Sequence, residues 1–145
     1  MRALIQRVKE ASVKVNNDVV GEIESGLLVL LGIKEEDNEE SIDYLVNKIV
    51  NLRIFDDTAG KMNLSLLDKQ GQMLIVSQFT LYADCSRGRR PSYSNAANPS
   101  LAKKLYKTFI EKVKSEGVEV QSGVFGAYMD VELVNDGPVT IMIED

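Results

Sequence analysis

Gly26-Leu27-Leu28-Val29-Leu30-Leu31-Gly32-Ile33 carries no charged or polar side chain. The run is shorter than most helices and turn residues bound it, so it reads as a strand buried on both faces. Upstream, Leu4, Ile5 and Val8 lie in an apolar opening segment, and Val13 and Val15 alternate with Ser12 and Lys14 as far as Asn16-Asn17-Asp18. Val19-Val20-Gly21-Glu22-Ile23 then returns as the second arm of a hairpin. Downstream, Ile42, Leu45, Val46, Ile49 and Val50 repeat at helical spacing, with Asp37 and Glu40 placed as a capping box. A second helical stripe runs through Leu101, Ala102, Leu105, Tyr106, Phe109, Ile110 and Val113. Asn98 suits its cap, Pro99 its first position and Gly117 its exit.

Between the helices the pattern predicts a short strand at Leu52–Phe55, a turn at Asp57-Thr58-Ala59-Gly60 and a strand at Met73–Val76. After them come Val118–Gln121 and a long strand near Ala127–Val134, in which Met129, Val131 and Leu133 face one way. The chain is expected to turn at Asn135–Pro138 and return through Val139, Ile141 and Ile143. These elements predict one α+β domain over residues 1–145. Its sheet should be largely antiparallel and barrel-like, with two main packed helices.

Of 145 residues, 44% are hydrophobic and 27% charged, as in ordinary globular proteins. No apolar run approaches the roughly 20 residues a membrane-spanning helix needs. With one cysteine, Cys85, no intrachain disulfide can form, and the expected compartment is the cytoplasm. There is no histidine. That removes Ser-His-Asp and Cys-His nucleophile pairs, and with them the zinc sites that depend on imidazole. An enzyme of this composition has to rely on carboxylates, hydroxyls, backbone dipoles, an oxygen-bound metal or a group on its own substrate. A net charge of -5 argues against broad nonspecific nucleic-acid binding but leaves room for a local basic patch.

Three segments carry candidate chemistry. Ser77-Gln78-Phe79-Thr80 ends an apolar strand abruptly in hydrogen-bonding groups at the rim of a sheet. It either satisfies backbone groups or builds a site on a rigid strand end. Asp136-Gly137-Pro138 is a hairpin signal with a proline where the returning strand should begin. It is either a stiff turn or a cis Gly-Pro unit that aims two backbone carbonyls at an ammonium group. Arg87-Gly88-Arg89-Arg90-Pro91-Ser92 is a solvated loop or a phosphate contact. Lys103, Lys104, Lys107 and Lys112 on the second helix either face water or extend that patch.

Ser77-Gln78-Phe79-Thr80-Leu81 and Asn135-Asp136-Gly137-Pro138-Val139-Thr140 resemble the two signature motifs of the D-aminoacyl-tRNA deacylases. The resemblance runs nearly end to end, through Arg7-Val8, Ala11-Ser12-Val13, Arg90-Pro91-Ser92 and Gly123-Val124-Phe125-Gly126-Ala127-Tyr128-Met129. It implies a homodimer in which a cis Gly137-Pro138 peptide enters the partner's site and captures the α-ammonium of the aminoacyl group. Ser77, Gln78, Phe79 and Thr80 would floor the pocket, with Phe125 and Met129 as neighbours and Arg7 supporting the Gly-Pro carbonyls. Arg87, Arg89 and Arg90 would contact tRNA, and no cofactor or metal is implied. The implied reaction is hydrolysis of D-aminoacyl-tRNA. A site that rejects L side chains by clash has nothing to reject in glycine, so glycyl-tRNA on a non-cognate tRNA is expected as a further substrate. Attack by water with help from the substrate's own 2′-hydroxyl is favoured over nucleophilic Thr80. Two other readings stand beside it: an editing module for L-amino acids on the same fold, and a noncatalytic RNA- or protein-binding dimer.

Overall fold

In a computed structural model that describes residues 1–145, the chain begins with β1 (Arg2–Val15), β2 (Asp18–Ile23), β3 (Gly26–Gly32) and α1 (Glu39–Asn51). It continues through β4 (Phe55–Asp56), β5 (Met62–Leu64), α2 (Leu66–Lys69) and β6 (Gln72–Ser77) to a 3₁₀ turn at Phe79–Tyr82. It ends with α3 (Pro99–Ser115), β7 (Glu119–Ser122) and β8 (Asp130–Glu144). The main sheet has the order β2-β1-β3-β6-β7, with β8 also on β1. The pairs of β1 with β2, β3 and β8 are antiparallel, while β3–β6 and β6–β7 are parallel. Parallel neighbours need long crossovers, and these carry α1 and α3. The sheet curls until its ends approach: a Cβ built at Gly21 in β2 would lie 3.0 Å from the Ser122 carbonyl oxygen in β7. The result is the expected α+β fold with a nearly closed, barrel-like sheet.

The run at Gly26 is buried on both faces, as its composition predicts. Leu27, Val29 and Leu31 join the main core under the helices, whereas Leu28 joins a second cluster inside the curl. β6 repeats this alternation, with Met73 and Ile75 on one side and Leu74 and Val76 on the other. β1 serves both cores in succession. Ala3 and Ile5 enter the main one, Val8, Ala11 and Val13 the inner one, and a register shift separates Val8 from Glu10.

Three expectations are corrected. Asn135–Pro138 is not a hairpin turn, because β8 passes through it without reversing and pairs with β1 from Lys14↔Asp130 to Arg2↔Glu144. A turn at Asp136-Gly137 would require its flanks to pair with each other, and both are held by the 14-residue β1 instead. The extra residues bulge out: Gln6 faces Thr140 and Val8 faces Asn135, leaving Asp136 to Val139 opposite Arg7. The cap of α1 is Asn38, whose side chain accepts from the Glu40 and Ser41 amides, rather than Asp37. Asp37 is buried and accepts from the Met1 ammonium at 2.5 Å and the Lys34 amide at 2.8 Å. Finally, Leu52–Phe55 is not a strand as a whole. Pairing starts only at Phe55, because Leu52 closes α1 and the Ile54 carbonyl is taken by Arg7. The second helix follows its sequence signals, with Asn98 accepting from Ser100 and Leu101 amides, Pro99 first, and Gly117 at φ +86°. No helix is long and apolar enough to cross a membrane.

Candidate active site

The apolar pairing of β3 and β6 ends at a rim, and there the chain changes character. The Gln78 amide donates to the Leu31 carbonyl at 2.8 Å, one step past the last residue of β6, and then the chain tightens into the 3₁₀ turn. Leu81 and Ala83 amides close it on the Gln78 and Thr80 carbonyls at 3.2 and 3.0 Å. Arg2 fastens it from outside, donating Nη1 to the Leu81 carbonyl at 2.7 Å and lying 4.6 Å from the centroid of the Tyr82 ring. The Phe79 and Thr80 amides open this turn, so neither finds a partner within it. Such amides are suited to a developing oxyanion.

Ser77, Gln78 and Phe79 line one end of a cavity of about 380 Å³. Leu31, Ile33, Tyr93, Pro99, Ala102 and Phe125 make the rest of it largely apolar. Phe79 stands at the mouth, 58% exposed, with its ring edge-on to Tyr93 at a centroid distance of 5.1 Å. Behind Phe125, at 5.8 Å, lies Tyr106, whose hydroxyl donates to the Ile75 carbonyl at 2.7 Å. Burial pushes the Tyr106 phenol up to about 12, so it serves as a fixed donor rather than an acid. Thr80 accepts a hydrogen bond from Gln78 Nε2 at 2.5 Å. With its oxygen engaged by a donor and no base beside it, the Thr80 hydroxyl is a poor nucleophile and a good positioning group. A wider cleft of about 610 Å³ lies elsewhere, edged by Glu10, Glu22, Glu24 and Glu132. Its charge disfavours a polyanion.

The second motif is built differently. Arg7 is buried and donates Nε to the Asp136 carbonyl at 3.1 Å, with the Asp136 carboxylate 3.0 Å away. Its Nη1 donates to the Ile54 carbonyl at 2.5 Å. Asn135 Nδ2 donates to the Arg7 and Val139 carbonyls at 2.9 and 3.1 Å, closing the bulge from its other side. Arg7 therefore grips the residue before the Gly-Pro unit and not the Gly137 or Pro138 carbonyls. Gly137 and Pro138 themselves are exposed and joined by a cis peptide.

Sequence-expected residues are thus only partly brought together. Ser77, Gln78, Phe79 and Phe125 share the cavity, and Thr80 stands on the same turn. Met129 does not line the cavity and packs against the inner cluster. Gly137 and Pro138 do not line the cavity of their own chain. Arg87, Arg89 and Arg90 are exposed on a loop whose ends are pinned by Asp84 and Ser92, 2.8 and 2.9 Å apart in two backbone hydrogen bonds. Tyr93, Ala96, Ala97, Pro99 and Ala102 were missed as cavity residues. They reach it because the Ala97 amide docks on the Ile33 carbonyl at 2.9 Å, a long-range contact with no local signature.

Comparison with known proteins adds to this geometry. A family model described as D-Tyr-tRNA(Tyr) deacylase matches residues 4–144. A D-aminoacyl-tRNA deacylase of Fervidobacterium nodosum is 62% identical over 144 residues, covering 99% of this chain and 97% of the relative. One of Thermosipho melanesiensis is 61% identical over 145 residues with the same coverage. A solved structure described as c-Myc DNA Unwinding Element Binding Protein is 41% identical, with a TM-score of 0.94 over 100% of this chain and 99% of that one. Matched almost end to end, with both motifs on one rim and one bulge of a shared fold, the chain belongs to the D-Tyr-tRNA(Tyr) deacylase family.

Proposed function

We propose that the chain hydrolyses the ester of D-aminoacyl-tRNA in the cytoplasm, as a homodimer in which Gly137 and Pro138 of one copy reach into the other's cavity. The observation that carries the cross-subunit reading is the isolation of a clamped segment. Arg7 and Asn135 hold the bulge from both sides, yet Gly137 and Pro138 are exposed and border no cavity of their own chain. Seated in a second copy, their carbonyls would accept from the substrate's α-ammonium. The ester carbonyl would face the Phe79 and Thr80 amides.

Water attacks the ester carbon, the bond to the ribose oxygen breaks, and the proton lost by water goes to that leaving oxygen. The 2′-hydroxyl of the terminal adenosine relays it, since no histidine is present and Gln78 occupies the Thr80 hydroxyl. With the ammonium and the 3′ end both fixed, an L side chain would collide with backbone and a D side chain would point clear. Glycine has nothing to collide, so glycyl-tRNA on a non-cognate tRNA is also a substrate.

The test is release of D- against L-tyrosine from matched tyrosyl-tRNAs by the wild type, with Thr80→Ala alongside. D-tyrosine alone should be released, and Thr80→Ala should keep measurable turnover. Complete loss of turnover in Thr80→Ala with substrate binding intact would make Thr80 the nucleophile. Release of L-tyrosine alone would favour an L-editing module. Nucleic-acid binding with no release of either amino acid would favour a noncatalytic role of the kind that the name of the 41% identical structure describes.

A further inference from the structure

Helix α3 carries lysines along its exposed side, and ion pairing divides them into two groups. Lys112 pairs with Asp43 at 2.8 Å and Lys114 with Glu111 at 3.1 Å. Lys103, Lys104 and Lys107, all exposed, have no carboxylate within 4 Å. Lys103 and Lys107 are one turn apart and Lys104 flanks them, so the three cations share a face. The lysines follow the cavity-lining Pro99 and Ala102 along the same helix but project from its outer side. At about 1.5 Å per residue, Lys107 lies roughly 7.5 Å along the axis from Ala102. The N-terminus of α3 is itself occupied, since the Asn98 amide and Nδ2 donate to the Glu35 carboxylate, both at 2.9 Å. Any anion on this surface has to be held by the lysine side chains. Beside it, the Arg87–Arg90 loop hangs from the cavity rim, between the 3₁₀ turn and Tyr93.

We infer that the first half of α3 is the docking surface for the double-stranded acceptor stem of the tRNA, with backbone phosphates on Lys103, Lys104 and Lys107. The single-stranded 3′ end then passes the exposed rings of Phe79 and Tyr93 into the cavity, since unpaired bases stack on aromatic side chains. The duplex goes no further than Lys107, because Asp43 and Glu111 neutralise the next two cations. In a chain of net charge -5, with four glutamates around the cleft of about 610 Å³, three uncompensated cations on the helix that lines the cavity set the side from which a polyanion approaches. This inference rests on the tRNA substrate proposed above and adds the path that the tRNA takes.

The probe is an RNA hairpin with a single-stranded 3′ tail, followed by fluorescence anisotropy at several salt concentrations. The K103Q/K104Q/K107Q triple variant should bind it about ten-fold more weakly at low salt. Its salt dependence should flatten by about 0.9 in log–log slope for each phosphate that the protein no longer neutralises. The K103R/K104R/K107R variant should bind like the wild type, and so should K112Q/K114Q. Equal affinity and slope in the glutamine triple would overturn the surface, as would an equally weakened arginine triple, which keeps the charge. A wild type that binds the hairpin but releases no D-tyrosine from tRNA would sink the deacylase reading and leave this surface standing.

Discussion

At the scale of the residue, the site depends on a few groups whose chemistry their neighbours restrict. Tyr106 places its hydroxyl beneath the cavity on the Ile75 carbonyl, which also accepts from the Gly123 amide at 3.1 Å. Tyr106→Phe therefore leaves that carbonyl satisfied and should cost about 1 kcal/mol, the net value of one hydrogen bond. Its pH signature is separate. Burial raises the Tyr106 phenol to about 12 from its ordinary 10, so the folded state keeps a proton that the unfolded chain would release. The corresponding stability is complete below pH 10 and is lost as pH climbs from 10 towards 12. Denaturant melts should show Tyr106→Phe losing its share of that alkaline decline, and an unchanged slope would contradict the assignment. Sequence pointed to Thr80 as a candidate because it closely follows an apolar strand, and the structure places it on the 3₁₀ turn beyond the strand's last residue, Ser77. Its engagement by Gln78 was not, since a rotamer two residues away leaves no pattern in the chain.

At the scale of the element, strands were easier to read than the way they pair. The run at Gly26 declared its double burial through composition alone. Nothing in that run declared that its neighbour β6 would be parallel, or how close the two would come. A side chain at Gly26 would collide with the Gln72 backbone carbonyl. Gly26→Ala should accordingly push β3 from β6 at the end remote from the 3₁₀ turn and cost about 3 kcal/mol or more, as overpacking does. A thermal melt checks this, and a variant as stable as the wild type would show that the strands can part freely. The second motif misled for a related reason. Asp136-Gly137 between alternating strands signals a hairpin only when no third strand is long enough to pair with both flanks, and β1 is. The cap at Asp37 failed likewise, because the residue found a distant buried ammonium instead of its own helix.

At the scale of the whole molecule, the cross-subunit site proposed above would need a second copy of the chain. A Cβ at Gly137 would meet only Asn135 Oδ1, at an ordinary 3.6 Å. Gly137→Ala should therefore fold as well as the wild type, while a methyl group in the partner's cavity lowers deacylation by about 100-fold, the cost of displacing reacting groups by an ångström. Turnover measured beside a thermal melt and a sedimentation run separates these effects. Full activity would remove Gly137 from the substrate's surroundings, and a purely monomeric wild type would remove the second copy. The family was legible from two short motifs, but Tyr93, Ala96, Ala97, Pro99 and Ala102, which complete the cavity, belong to neither of them.

The alternation of β3 and β6 between the two clusters has a dynamic consequence. Because these strands supply both cores, and β1 supplies each with one of its halves, melting of one core should disorder the other. The backbone of the barrel should open as one cooperative unit. Fluctuation is then left to the segments outside that unit, such as the loop between Asp84 and Ser92. In the proposed reaction, substrate would enter at the rim without loosening the strand that carries Ser77.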